Sequence, residues 1–324
     1  LIVGVDAARA RLRELSDFAA PWAVWVAATL RLADHIEAGV SRLDELADST
    51  RTNRDSLRRL MRYLVARGLF IEANGAYTNT DLSRLLLDER GWRQWLDLDN
   101  APGIWAESWI RLLESVRTGS PDRDYLWYED ELRRTGRAAS FDELMAVQAR
   151  ANAQEIAAIH DWSQAEHVVD IGGGTGVMLR TLLAAHPHLR GTLFDLSRVV
   201  NAAERAERLD CVAGDFFADP LPHADTYVLS QILHGCTDDN AARILTRCVE
   251  AGAAQMRILI VEELIPADPT ADQASFDLFM LTLGGGQQRT LEEFRLLAQS
   301  VGLAVWSSQL LTSGYSIVEL GASS

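Results

Sequence analysis

The sequence predicts an α/β fold: an open, mostly parallel sheet flanked by helices in its C-terminal half, preceded by a helical N-terminal domain that closes on a two-stranded wing. Three observations carry this. Short apolar runs alternate with amphipathic segments from residue 167 onward, a cluster of glycines separates the first run from the helix after it, and residues 7–70 keep helical spacing up to an Asn-Gly turn. The 324 residues are 48% hydrophobic and 24% charged, the balance of a folded globular chain. No run reaches the roughly eighteen apolar residues of a spanning helix.

The elements follow in order. Helical spacing runs through LRELSDFAAPWAVWVAATLRLADHI and again through SLRRLMRYLVARGLF, with Asn53 or Asp55 able to cap the second segment and Gly68 to stop it. GLFIEANGAYTNT then places Asn74-Gly75 between two short apolar segments, a hairpin, so the region reads as a winged helix. Residues 83–160 read as helices with loops at TGSPDRD and RRTGRAAS, rich in tryptophan. Beyond them HVVDIGGG, GTLFDL, DCVAG, DTYVLS and RILIVEELIP are buried-strand runs between helices such as GVMLRTLLAAH and DDNAARILTRCVEAG. AVWSSQLL and YSIVEL add two more strands after the helix in TLEEFRLLAQSVGL, and the link from Asp195 to Cys211 is short for a helix and two turns.

Composition removes several functions. All 31 basic residues are arginine, so chemistry that needs a lysine (Schiff bases, P-loop phosphate transfer) has no residue to perform it. A winged helix invites DNA, and Arg51, Arg54, Arg58, Arg59, Arg62 and Arg67 face only Asp55 in that segment. The net charge of −15 opposes both nucleic acid and anionic membrane, and the apolar face of the same helix is needed for packing. Cys211, Cys236 and Cys248 form no CxxC pair, and charges interrupt the opening segment where a secretion signal would be apolar; a cytoplasmic location is expected. The seven histidines show no ligand spacing backed by carboxylates, so no metal is expected.

The glycine cluster decides between two nucleotides. A dinucleotide GxGxxG would need a small residue at Val177 or Leu179, whereas DxGxGxG, the form used for S-adenosylmethionine (SAM), fits at Asp170, Gly172, Gly174 and Gly176. The helix N-terminus after the loop favours the cofactor's carboxylate. Asp195, with Leu196 beside it, closes the next strand where a carboxylate can accept ribose hydroxyls; Gly214, Asp215 and Phe216 follow the third strand where adenine would lie, and Ser230 ends the fourth.

With AATLRLADHI, LRRLMRYLVARGLF, HVVDIGGGTG, GTLFDL, VAGDFF, LSQILHGCTDDNAARIL, VEELIP and GGGQQRT, the chain resembles the SAM-dependent O-methyltransferases of plant phenolics and bacterial aromatic natural products. Its WLDLDNA, SVRTGSP and SFDELM segments are similar to actinomycete enzymes that tailor anthracyclines and related polyketides. The resemblance implies a winged-helix dimerisation domain over residues 1–82, a helical connector and pocket region over 83–160, and a Rossmann-like SAM-binding catalytic domain over 161–324. It implies a homodimer acting on an aromatic small molecule, with S-adenosylhomocysteine (SAH) as product.

The resemblance maps a general base onto His234, a supporting carboxylate onto Glu262 (or Glu263 if the strand phase is shifted), and a second supporting position onto Gln288, where the family usually has Glu. Gly235 and Cys236 replace the Asp and Trp that usually follow the base, so His234 is expected to be a weaker base than in full-complement relatives. The acceptor pocket maps onto Trp105, Trp109, Met145, Asp277 and Met280, and Arg13 onto a first helix that can cross to the partner subunit. Because some relatives lack the base, C- or N-methylation or hydroxylation stands as the alternative chemistry.

Overall fold

The computed structural model describes residues 5–88, 91–119, 123 and 125–323, so the loop expected at TGSPDRD lies partly outside them. The chain divides into two compact units, Leu1–Ala106 and Glu107–Ser324.

The first unit is built from helices α1 (Val5–Leu15), α2 (Ala19–Thr29), α3 (Leu32–Glu37), α4 (Leu43–Thr50) and α5 (Arg54–Ala66), followed by strands β1 (Phe70–Ala73) and β2 (Ala76–Asn79) and the short α6 (Asp81–Arg84). Asn53 is the cap of α5: its side chain accepts from the amides of Asp55 and Ser56. Gly68 carries the chain away at a φ of +77°. Asn74 and Gly75 are both left-handed, which gives the tight hairpin in which β1 and β2 pair antiparallel. Leu57, Met61 and Leu64 bury one face of α5 against Leu32, Leu46, Phe70 and Tyr77. On its other face Arg54 pairs with Asp44 and Arg58 with Asp55, so part of the basic stripe is already neutralised.

α7 (Ala101–Ser108) carries the boundary, after which come α8 (Leu112–Thr118), α9 (Tyr125–Arg134) and the long α10 (Ala138–Ile159). The second unit then alternates β3 (His167–Ile171), α11 (Val177–Ala185), β4 (Arg190–Asp195), α12 (Ser197–Ala202), β5 (Leu209–Ala213), β6 (Thr226–Ser230), α13 (Asp238–Ala251) and β7 (Arg257–Glu262). It ends with α14 (Ala271–Gly284), α15 (Leu291–Ser300), β8 (Leu303–Leu310) and β9 (Ser316–Ala322). The short Asp195–Cys211 link holds a helix of only six residues.

The seven strands lie in the order β5-β4-β3-β6-β7-β9-β8, and β9 alone among them runs opposite to the rest, antiparallel to both β7 and β8. Alternate residues go to opposite faces. Val168, Val228, Leu259 and Val261 pack with α10 and α11, while Val169, Ile171, Tyr227, Leu229, Ile258 and Ile260 pack with α13 and α15. The order reverses between β3 and β6, and a crevice at the carboxyl ends of the strands on either side of such a reversal is where α/β sheets bind ligands.

Candidate active site

The glycine loop leaves β3 at that reversal. Gly172, Gly174 and Gly176 have φ of +66°, +59° and +78°, the left-handed conformation that glycine adopts without strain. A Cβ on Gly172 would lie 2.5 Å from Ile232 Cδ1, whereas one on Gly174 would meet nothing, so a ligand can approach the backbone there. Asp195, at the end of β4, accepts the Gly174 amide on Oδ2 (2.8 Å) and the Leu196 amide on Oδ1 (2.6 Å).

Of the two carboxyls at this turn, one has no partner. Asp170 is fully buried and neither of its oxygens has a hydrogen-bond partner among the described residues. Burial, and then the charge of Asp195, push its carboxyl up to about 7. Asp195 is raised to about 6 by burial, against the lowering effect of the Gly174 and Leu196 amides, with Glu129 and Asp142 adding like charge. Those last two carboxylates converge on Arg198, which donates to Asp142 at 2.8 Å and to Glu129 at 2.7 Å. Buried acceptors beside an open glycine backbone fit a ligand that brings hydroxyl donors and net positive charge, as SAM does with its ribose, ammonium and sulfonium.

The remaining cofactor candidates surround the loop. Gly214 donates its amide to the Asp195 carbonyl (3.0 Å), and a Cβ there would strike the Phe194 ring. Asp215 accepts the Phe217 amide at 2.7 Å. Phe216 is buried with a ring carbon 3.7 Å from where a Gly172 Cβ would stand, so it flanks the glycine turn. Ser230 closes β6, half-buried and paired with Val261. Gln231 turns the chain at a φ of +58° into the short 3-10 turn Leu233–Gly235 that carries His234.

Strand phase separates the two glutamates. Glu262, the last residue of β7, is buried and holds the His234 turn, its Oε1 accepting the amides of Leu233 (2.9 Å) and His234 (3.2 Å). Its Oε2 is 3.2 Å from His234 Nδ1. Glu263 is less buried; burial raises its pKa, and His234 acts in the opposite direction. Gln288 is buried with neither amide atom hydrogen-bonded among the described residues, and its backbone N–H donates to Asp277 Oδ1 (2.8 Å). Asp277 thus has one oxygen engaged in holding this loop.

Beside His234 stands an aromatic row. The Phe276 ring lies edge-on at 5.8 Å from the imidazole, Phe279 follows at 6.0 Å, and Trp109 stacks on Phe279 at 6.3 Å. Met280 is buried beside them on α14 and Met145 is half-buried on α10. The two other acceptor candidates belong to the first unit: Trp105 is buried and stacks on Trp95 at 5.8 Å, and Arg13 is exposed on α1. Phe276, Phe279, Arg198 and Arg289 were not singled out by the sequence. Arg289 sits inside the quoted GGGQQRT, but in a chain whose every base is arginine nothing marks the one that is buried. Among the described residues, no group of three or more His, Cys, Asp or Glu could hold a metal, and no helix is long and apolar enough to cross a membrane.

Comparison with known proteins bears on the same geometry. Residues 109–304 match the O-methyltransferase domain and residues 12–89 the O-methyltransferase dimerisation domain. The chain is 42% identical to the 2,7-dihydroxy-5-methyl-1-naphthoate 7-O-methyltransferase of Streptomyces carzinostaticus, over 99% of this chain and all of the relative. It is 38% identical to the aclacinomycin 10-hydroxylase RdmB of Streptomyces purpurascens, over 96% and 90%. A crystal structure of an O-methyltransferase from neocarzinostatin biosynthesis, in complex with SAM and 2-hydroxy-5-methyl naphthoic acid, superposes with a TM-score of 0.89 at 40% identity, covering 96% of this chain and 98% of the other. The glycine loop, the sheet order and these matches agree, and the chain belongs to the SAM-dependent O-methyltransferases that carry an N-terminal dimerisation domain.

Proposed function

We propose that this enzyme methylates a hydroxyl of an aromatic natural-product intermediate of the hydroxynaphthoate kind, with His234 taking the hydroxyl proton. The observation that carries the reading is the 3.2 Å approach of His234 Nδ1 to the buried Glu262. Glu262 Oε2 makes no aligned hydrogen bond, so it is the carboxylate's charge at this distance that favours a proton on Nδ1 and leaves Nε2 as the basic nitrogen, the tautomer a general base needs. Gln288 adds no charge, so Glu262 alone balances a developing imidazolium. SAM, when bound, supplies the methyl group on a sulfonium that is already a good leaving group. The chain's task is then alignment and proton removal.

In this reading Asp170, Gly172, Gly174, Gly176, Asp195, Leu196, Gly214, Asp215, Phe216 and Ser230 hold the cofactor. The acceptor lies against Trp109, Met145 and Met280, with Trp105, Asp277 and a partner-directed Arg13 as further contacts. The 42% identical naphthoate 7-O-methyltransferase, and the 2-hydroxy-5-methyl naphthoic acid bound in the similar crystal structure, support a flat bicyclic acceptor. The proposed homodimer forms through residues 1–82, followed by the connector at 83–160 and the catalytic domain at 161–324. Val5, Leu12, Leu15 and Phe18 are exposed on and beside α1, which fits a helix that packs on a second subunit. A cytoplasmic site of action fits the three free cysteines.

The test is calorimetric titration with SAM, SAH and NAD, followed by turnover of hydroxynaphthoates by wild type and His234→Ala. Binding of the two sulfur nucleotides without NAD, and loss of about 100-fold or more of turnover in the variant, is expected. Full turnover by His234→Ala would reduce the mechanism to alignment alone. The 38% identical hydroxylase keeps oxygenation as the second reading, and a hydroxylated, unmethylated product would select it.

A further inference from the structure

We propose that Arg289 is a positioning residue for His234, gripping the backbone of the turn that carries the imidazole. This rests on the reading of His234 as the base. Arg289 is 1% exposed, and each of its three guanidinium nitrogens has an acceptor on or next to that turn. Nη1 donates to the Leu233 carbonyl at 2.7 Å, Nη2 to the Cys236 carbonyl at 2.9 Å and Nε to Asp238 Oδ1 at 2.9 Å. The two carbonyls bracket His234, one on the residue before it and one two residues after.

Glu262 completes the grip from the other polarity. Its Oε1 accepts the amides of Leu233 and His234, while the guanidinium holds the carbonyls of Leu233 and Cys236. A three-residue 3-10 turn has few hydrogen bonds of its own. Here a buried anion fixes its donors and a buried cation its acceptors. The planar, always-charged fork of arginine suits two diverging carbonyls in a way that the single ammonium of lysine does not.

The loop bearing Arg289 is itself fixed. Gly286 lies so close to the His234 carbonyl and to Gly235 that no Cβ fits, the Gln288 amide is held by Asp277, and the Arg289 carbonyl accepts the amide of Ile265 (3.2 Å). The Phe294 ring lies 5.9 Å from the guanidinium carbon. Gly235 and Cys236 offer no charged or aromatic side chain to steer the imidazole. Orientation through the backbone takes over that work.

The experiment compares Arg289→Ala, Arg289→Lys and Asp238→Ala with wild type and with His234→Ala, reading SAM affinity, acceptor KM and kcat separately. Arg289→Ala should bind SAM within about twofold of wild type and lose about 10- to 100-fold in kcat, the scale of an ångström-sized misplacement of a catalytic group. Millimolar guanidinium chloride should restore much of that loss, but not in an Arg289→Ala/His234→Ala double variant. Lysine should rescue poorly. Asp238→Ala, which loosens the guanidinium through an exposed partner, should lower kcat about threefold with KM unchanged, and it serves if the buried variants do not fold. Unchanged kcat in folded Arg289→Ala or in Asp238→Ala, with His234→Ala inactive, would overturn the role of Arg289. An active His234→Ala would instead overturn the base on which it rests.

Discussion

One carboxylate of Glu262 serves His234 twice: Oε1 accepts the residue's backbone amide at 3.2 Å, and Oε2 stands 3.2 Å from Nδ1 of its ring. Backbone placement and ring electrostatics therefore depend on the same side chain. Glu262→Gln separates them, because an amide oxygen can still accept the two backbone N–H groups while the charge facing the ring is gone. We expect kcat to fall about 10- to 100-fold with SAM affinity nearly unchanged. Equal kcat in single-turnover measurements would mean that the carboxylate acts only as a backbone anchor.

The two carboxyls at the glycine turn, Asp170 and Asp195, set the sign of a pH dependence of stability. Asp170 is lifted to about 7 and Asp195 to about 6, both chiefly by burial, from an ordinary value of 3.8. A carboxyl that titrates higher in the folded chain holds more protons folded than unfolded. The folded state is therefore relatively favoured at low pH and loses that advantage as pH rises from the ordinary carboxyl range through about 7. The Tm contribution of these groups should fall between about pH 4 and pH 7, Asp170→Asn should flatten the slope, and SAM should oppose the fall. Identical slopes in wild type and Asp170→Asn, measured by differential scanning fluorimetry without cofactor, would count against a buried, partnerless Asp170.

Gly286 offers a test of close packing at the turn that carries His234. Its missing side chain is what lets the loop after α14 rest on the His234 carbonyl and on Gly235, whose Cα would lie 2.8 Å from an added Cβ. The obstacle is backbone and cannot rotate away. Gly286→Ala should lower Tm by several degrees and kcat by about tenfold or more, with a smaller effect on SAM affinity. Wild-type kcat at equal Tm would show that the turn yields freely.

Arg198 neutralises a local surplus of acid. It pairs with Glu129 and Asp142, which with Asp195 place three carboxylates on α9, α10 and the end of β4. Arg198→Met should weaken SAM binding by about tenfold through displacement of α9 and α10, and adding Glu129→Gln and Asp142→Asn should recover most of it. Calorimetry on the three variants decides, and a triple variant as weak as the single one would make the guanidinium itself a ligand contact.

What the sequence disclosed and what it hid divide along physical lines. The spacing Asp170-Gly172-Gly174-Gly176 and the placement of Asp195 at a strand end were readable because local backbone geometry demands those residue types. Asn53 and Asn74-Gly75 were readable for the same reason. The choice between Glu262 and Glu263 needed the phase of β7, which its antiparallel neighbour fixes by pairing Glu262 with Ser316. Arg289 and Arg198 were invisible because burial and convergence arise only when distant segments meet: Arg289 reaches back to residues 233–238, and Arg198 to 129 and 142. Trp105 and Trp109 looked alike in sequence, yet one stacks on Trp95 and the other on Phe279.

The antiparallel insertion of β9 between β7 and β8 also sets an order of assembly. Synthesis delivers β3 to β6, with the glycine turn and Asp195, long before residues 316–322 exist. Until then the edge of β7 that β9 covers has no strand beside it, and its row of amides and carbonyls ends at Glu262. The carboxylate beside His234 thus sits on a strand whose outer edge is covered only by the last strand of the chain to be made.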